Sequence, residues 1–143
     1  MKKIILLSTI FCYGFITAQI KTPQPSPTAT IIQKVGVSDI SVEYSRPGAK
    51  GREIFGNLVP YGKMWRTGAN KATKITFNED CIFGGKNIKK GSYSLFTIPD
   101  MNVWSVLLNN DTELWGVGGY DKKKQVCNIE TKVINSKDFT ESF

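Results

Sequence analysis

An all-β antiparallel fold, a sandwich or barrel with one long structured loop over residues 46–71, is predicted by three features of the sequence. Residues Asp39 to Ser45 alternate, with Ile40, Val42 and Tyr44 set against Ser41, Glu43 and Ser45, the period of a strand with one buried face. Short apolar runs elsewhere are punctuated by glycine and proline, as in strand-and-turn architectures. No apolar stripe holds helical spacing for three turns, so little helix is expected.

At the start of the chain, Lys2 and Lys3, the apolar stretch Ile4 to Ile16 and the small residue Ala18 make up the charged head, apolar body and cleavage site of a secretory signal peptide over residues 1–18. The stretch is shorter than the ~20 apolar residues of a spanning helix and is broken by Ser8, Thr9 and Gly14, so no transmembrane segment is expected after cleavage. Phe11 before Cys12 argues against lipidation. The expected destination is the periplasm or the exterior. Pro23, Pro25 and Pro27 make residues 19–28 an extended leader, because proline can join neither a helix interior nor a central strand. Residues 29–143 are then one β domain, since a mature chain of about 125 residues can bury one core but not two.

Strands are expected from Thr30 to Val35, which is β-branched and apolar, and over the alternating run already described. After the loop, Thr73 to Phe77 and Cys81 to Phe83 are short strands, and Gly84-Gly85 marks a two-residue hairpin turn. Gly91 opens Ser92 to Ile98, which Pro99 stops, and Val103 to Leu108 follows. Both are apolar on both faces, which suits central strands covered on two sides. A turn-rich stretch over 109–124 leads to a final strand from Val126 to Ile134.

Charge and composition exclude several chemistries. The net charge of +7 includes Lys2 and Lys3, so cleavage leaves +5. In an exported protein such a charge favours anionic glycans or small anions over nucleic acid, or simply solubility. There is no histidine, which removes histidine-based nucleophile activation and histidine-ligated zinc. No metal site and no cofactor are expected. Cys81 and Cys127 lie within apolar strands and read as small buried hydrophobes or as a disulfide pair.

The loop carries the most informative constellation. All three arginines, Arg46, Arg52 and Arg66, fall inside it, with Lys50, Tyr61, Trp65, Thr67 and Asn70. Guanidinium groups offer rigid forks of donors to carboxylate, sulfate or phosphate, and an aromatic face beside them suits a sugar ring. The bland alternative is that the arginines pin the loop to main-chain oxygens and Trp65 plugs the core. Loops this long in compact domains are usually functional or disordered, and Ile54, Phe55, Leu58, Val59, Met64 and Trp65 argue for anchoring on the core.

Several motifs in order, Tyr44-Ser45-Arg46-Pro47, Lys50-Gly51-Arg52, Ile54-Phe55-Gly56, Leu58-Val59-Pro60-Tyr61-Gly62 and Trp65-Arg66-Thr67-Gly68-Ala69-Asn70, resemble the secreted bacterial family catalogued as domain of unknown function 2911. Gly91 to Pro99, Trp104, Asn109 and Trp115-Gly116 extend the likeness over about residues 25–121. The resemblance implies export and a mostly β domain, and implies no activity. In the last quarter, where family members run on through further strands, Cys127-Asn128-Ile129 stands instead, so closing strands are expected to be missing and a sheet edge unpaired.

Three functions fit these features. The first is an exported non-catalytic module binding an anionic or glycan ligand through Arg46, Lys50, Arg52, Tyr61, Trp65, Arg66, Thr67 and Asn70. The second is a cell-envelope hydrolase using Glu43 or Glu53 with Lys63. The third is a structural component of a surface assembly, which needs an exposed apolar patch or strand edge.

Overall fold

A computed structural model describes residues 22–143; the signal-peptide reading and the first residues of the leader lie outside the described residues. The described chain is all-β apart from one short 3₁₀ turn, and none of its helices is long and apolar enough to cross a membrane. Eight strands form: β1 (Thr28–Val35), β2 (Ser38–Ser45), β3 (Thr73–Phe77), β4 (Cys81–Phe83), β5 (Lys86–Ile88), β6 (Gly91–Ile98), β7 (Val103–Asn109) and β8 (Gln125–Lys132). Six of them make an antiparallel sheet in the order β1-β2-β3-β6-β7-β8, and β4 and β5 form a separate ribbon. The sheet is a meander that does not close into a barrel, so β1 and β8 are its two edges.

Local chemistry accounts for most boundaries. Gly84 and Gly85 have φ of 54° and 77°, the two successive positive values of a tight hairpin turn that only glycine takes up without strain. A Cβ on Gly84 would also meet the side chain of Ile129 on β8, so the ribbon turn presses directly on the sheet. Strand β1 starts at Thr28, ahead of the expected Thr30, because the leader is already held: Arg46 N donates to Pro27 O at 2.9 Å. Strand β8 stops at Lys132, short of the expected Ile134, because its partner β7 begins at Val103, opposite Lys132.

Alternation gives the sheet two covered faces. On one, Ile75 and Phe77 of β3, Tyr93 of β6, Leu108 of β7 and Cys127 of β8 pack with Ile88 of the ribbon. On the other, Phe96 and Leu107 pack with Ala72 beneath Met64, Leu114 and Tyr120. Strands β6 and β7 feed both clusters, as their two apolar faces predicted. Cys81 and Cys127 carry free thiols within the first cluster, and burial pushes both thiols up from their ordinary value. The outer strand β1 leaves Ile31, Ile32 and Val35 exposed beside an edge with no strand partner.

Candidate functional site

The first sheet face is not covered by the ribbon along its whole length. Strand β3 stops at Thr73, opposite Leu95, and leaves the far half of β6 without a neighbour. The loop fills that place: Trp65 N donates to Thr97 O at 2.7 Å, and Thr97 N donates back to Trp65 O at 2.9 Å. One turn earlier, Gly62 N donates to Pro99 O at 2.9 Å. These bonds satisfy a strand edge that would otherwise be buried unpaired.

Immediately after Trp65 the backbone turns sharply. Thr67 has φ of 55° and Asn70 of 59°, conformations that cost a β-branched residue most. The surroundings hold Thr67 there. Its hydroxyl meets that of Thr97 at 3.1 Å, the Thr73 hydroxyl donates to its carbonyl, and Trp65 Nε1 donates to Gly68 O at 3.0 Å across the turn. Asn70 donates from Nδ2 to Ser26 O at 3.3 Å and to Ser45 Oγ at 3.2 Å, tying the turn to the leader and to β2. Thr67 and Asn70, both candidates for ligand contact, are thus engaged in building the loop.

Trp65, 9% exposed, is the hub of an aromatic cluster that continues the core. Its ring meets Phe55 at 5.8 Å, Trp104 at 6.5 Å and Phe143 at 5.3 Å, each edge to face. Phe143 in turn meets Tyr44 of β2 at 5.7 Å. Such pairs add about 0.5–1.5 kcal/mol each beyond the area they bury. Trp65 is therefore the core plug that the plainer sequence reading describes, and it also lines a cleft.

That cleft has a volume of about 510 Å³. Ile54, Phe55, Leu58 and Trp65 give it an apolar wall, and Arg52 and Arg66 also line it. Arg52 curls back on its own turn, donating from Nε to Ala49 O at 2.9 Å and from Nη2 to Gly48 O at 2.7 Å. Those bonds engage two of its five donors, and the rest of the fork is left for another acceptor. Arg66 is half-buried, and its Nε is sealed from solvent with no hydrogen-bond partner among the described residues.

The other candidates lie elsewhere. Arg46 is not in the cleft wall; its Nε donates to Phe143 O at 3.2 Å. Lys50 takes a left-handed φ of 50° in the turn before Arg52, and its backbone N, not its amine, makes the contact, donating to Glu141 Oε1 at 2.8 Å. Tyr61 is exposed and packs over Gly56, where a Cβ would come within 2.8 Å of its ring. Glu43, a candidate acid, pairs with Lys74 at 3.4 Å and borders a second cleft of about 390 Å³ with Asn70, Lys71 and Trp115. Glu53 and Lys63 line neither cleft.

Sequence reasoning passed over the residues that complete the site. Thr140 to Phe143 fold back and line the cleft from the side opposite the loop. Nothing in that polar run marks it, because its position comes from pairing with residues nearly a hundred positions earlier.

A family model described as a protein of unknown function (DUF2911) matches residues 26–143, and the chain belongs to that family. The match continues beyond the motifs that carry the resemblance and includes the last quarter, which those motifs had set apart. No curated protein and no solved structure matches the chain.

Proposed function

We propose that this DUF2911 member is an exported, non-catalytic binding module whose cleft takes a small ligand with an anionic group and a flat or apolar body, such as a sulfated, phosphorylated or carboxylated sugar. One observation carries the reading: Arg52 and Arg66 line the same cleft, and only two of the Arg52 donors are engaged, by Ala49 O and Gly48 O. The remaining guanidinium donors offer an incoming oxyanion charge-assisted bonds about twice as strong as neutral ones. Trp65 and Phe55 offer edges and faces against which a ring can lie. The signal-peptide pattern of residues 1–18 supports export.

The test is a thermal-shift and calorimetric screen of sulfated, phosphorylated and carboxylated sugars against the intact mature chain and its Arg66→Gln variant. A ligand that stabilises the first and binds the second at least tenfold more weakly supports the reading. Equal affinities for both proteins across every hit would remove it.

A further inference from the structure

The last residues are seated as a bound peptide would be. Ala49 N donates to Glu141 O at 2.7 Å, and Phe143 N donates to Pro47 O at 3.1 Å, an antiparallel bridge centred on Gly48 and Ser142. The side chains add selectivity to that backbone pairing. The Glu141 carboxylate accepts from Lys50 N at 2.8 Å, and the Phe143 ring, 43% exposed, lies against Tyr44 and Trp65. Arg46 closes the far end on the Phe143 carbonyl. Gly48 keeps the edge bare, since a Cβ there would stand 3.0 Å from Glu141 Oε1. Between β8 and this seat, residues 134–140 are exposed and belong to no strand, so residues 141–143 are joined to the sheet by a linker without strand pairing.

We propose that the backbone edge Pro47–Ala49, together with the Tyr44–Trp65 slot, is a recognition groove for an extended segment of a partner protein that carries an acidic residue two positions before an aromatic one. Residues 141–143 occupy this groove in cis. Strand addition of this kind takes affinity from main-chain bonds and selectivity from side-chain pockets. A short tether holds the cis tail at an effective concentration on the order of millimolar, so the tail of a second copy gains nothing by replacing it. A partner segment can gain, because the tail leaves open the cleft over Phe55 and Leu58, where a longer chain finds further apolar contact. The groove shares the cleft wall with the anion site, but the bonds that hold residues 141–143 involve Arg46, Pro47, Ala49 and Lys50 and not Arg66.

The experiment uses the full mature chain carrying Glu141→Gly and Phe143→Gly, which releases the tail, and the probe peptide acetyl-Thr-Glu-Ser-Phe-amide. Tryptophan fluorescence reports occupancy of the slot beside Trp65. The released variant is expected to bind the peptide, with at least tenfold loss when the probe's phenylalanine is replaced by alanine and at least tenfold weaker binding to the wild-type chain. Peptide binding by the released variant without any sugar hit removes the anion reading alone, and sugar binding without peptide binding removes the groove alone. Hydrogen exchange on the wild-type chain gives an arm that needs no variant: the amides of Ala49 and Phe143 are protected while residues 134–139 exchange fast. A folded released variant that ignores the peptide, equal binding of the alanine probe, or an unprotected Phe143 amide overturns the groove. Self-association of the wild-type chain that Phe143→Gly abolishes places the occupant on a second copy and overturns the partner assignment.

Discussion

One face of the sheet is closed in two different ways along its length. At one end the β4–β5 ribbon covers Phe77, Tyr93 and Cys127 with Ile88 and Phe83, a contact made almost wholly of apolar side chains on regular strands. At the other end the loop and the tail cover Tyr44 and Thr97 with Trp65, Phe55 and Phe143, and the contact depends on backbone bonds, hydroxyl pairs and a strained turn. The ribbon end packs its apolar side chains on the sheet, with hollows of about 450 and 160 Å³ beside the ribbon. The loop end has a cleft of about 510 Å³ walled by aromatic and arginine side chains, where irregular backbone does not present side chains at the even spacing that close packing needs.

The comparison is broken most forcefully at the ribbon end. Phe77 is 3% exposed and packs against Phe83 and Tyr93, so Phe77→Ala is expected to cost about 3–5 kcal/mol in denaturant unfolding. Yet it should leave the cleft's ligand affinity unchanged in the folded fraction. A cost under about 1 kcal/mol would show that this end is not the dominant core.

A smaller effect is expected at the loop end from Thr67→Val. The change keeps the branched shape and the left-handed strain but strands the buried Thr97 hydroxyl. The expected cost is about 1–2 kcal/mol, accompanied by faster hydrogen exchange at the Trp65 and Thr97 amides. No change in either would mean that the turn is held by its backbone alone.

The smallest effect concerns acid. Asp80 clamps the base of the ribbon, accepting from Lys89 Nζ at 2.7 Å and from Lys90 N at 2.9 Å, and these bonds hold its carboxyl below the ordinary carboxylate value. A depressed folded-state value contributes stability that is complete above the unfolded value near 3.8 and is lost as pH falls through the folded one. The Thr67–Thr97 and Trp65–Thr97 bonds at the loop end join amides and hydroxyls and do not titrate. Acidification should therefore bring the melting temperatures of wild type and Asp80→Asn together below that window, with the gap at neutral pH small and sensitive to salt because the pair is exposed. A gap that persists at low pH would remove the clamp from the account.

Legibility in the sequence follows the same division. Strands β2, β3, β4, β6 and β7 are readable because period-two alternation, glycine and proline act within a few residues of where they stand. The Gly84-Gly85 turn is readable for the same reason. Of the candidate site, Arg52, Trp65 and Arg66 come together at the cleft, whereas Thr67 and Asn70 are taken up in building the loop and Tyr61 lies outside. Composition names the residue types that could bind an anion, but it cannot tell which of them the loop uses up to hold itself.

By itself the sequence determined the all-β class, the positions of most strands, the family and the segment where chemistry is concentrated, since each depends on local spacing or on a motif's own order. Tertiary structure alone decided that the sheet stays open, that Arg66 is left with a sealed and unpaired donor, and that Glu141 to Phe143 return to pair with Pro47 to Ala49. The physical reason is range: steric and hydrophobic periodicity act between neighbours in the chain. Hydrogen-bond partners and cavity walls are assigned only when segments far apart in sequence are brought against one another.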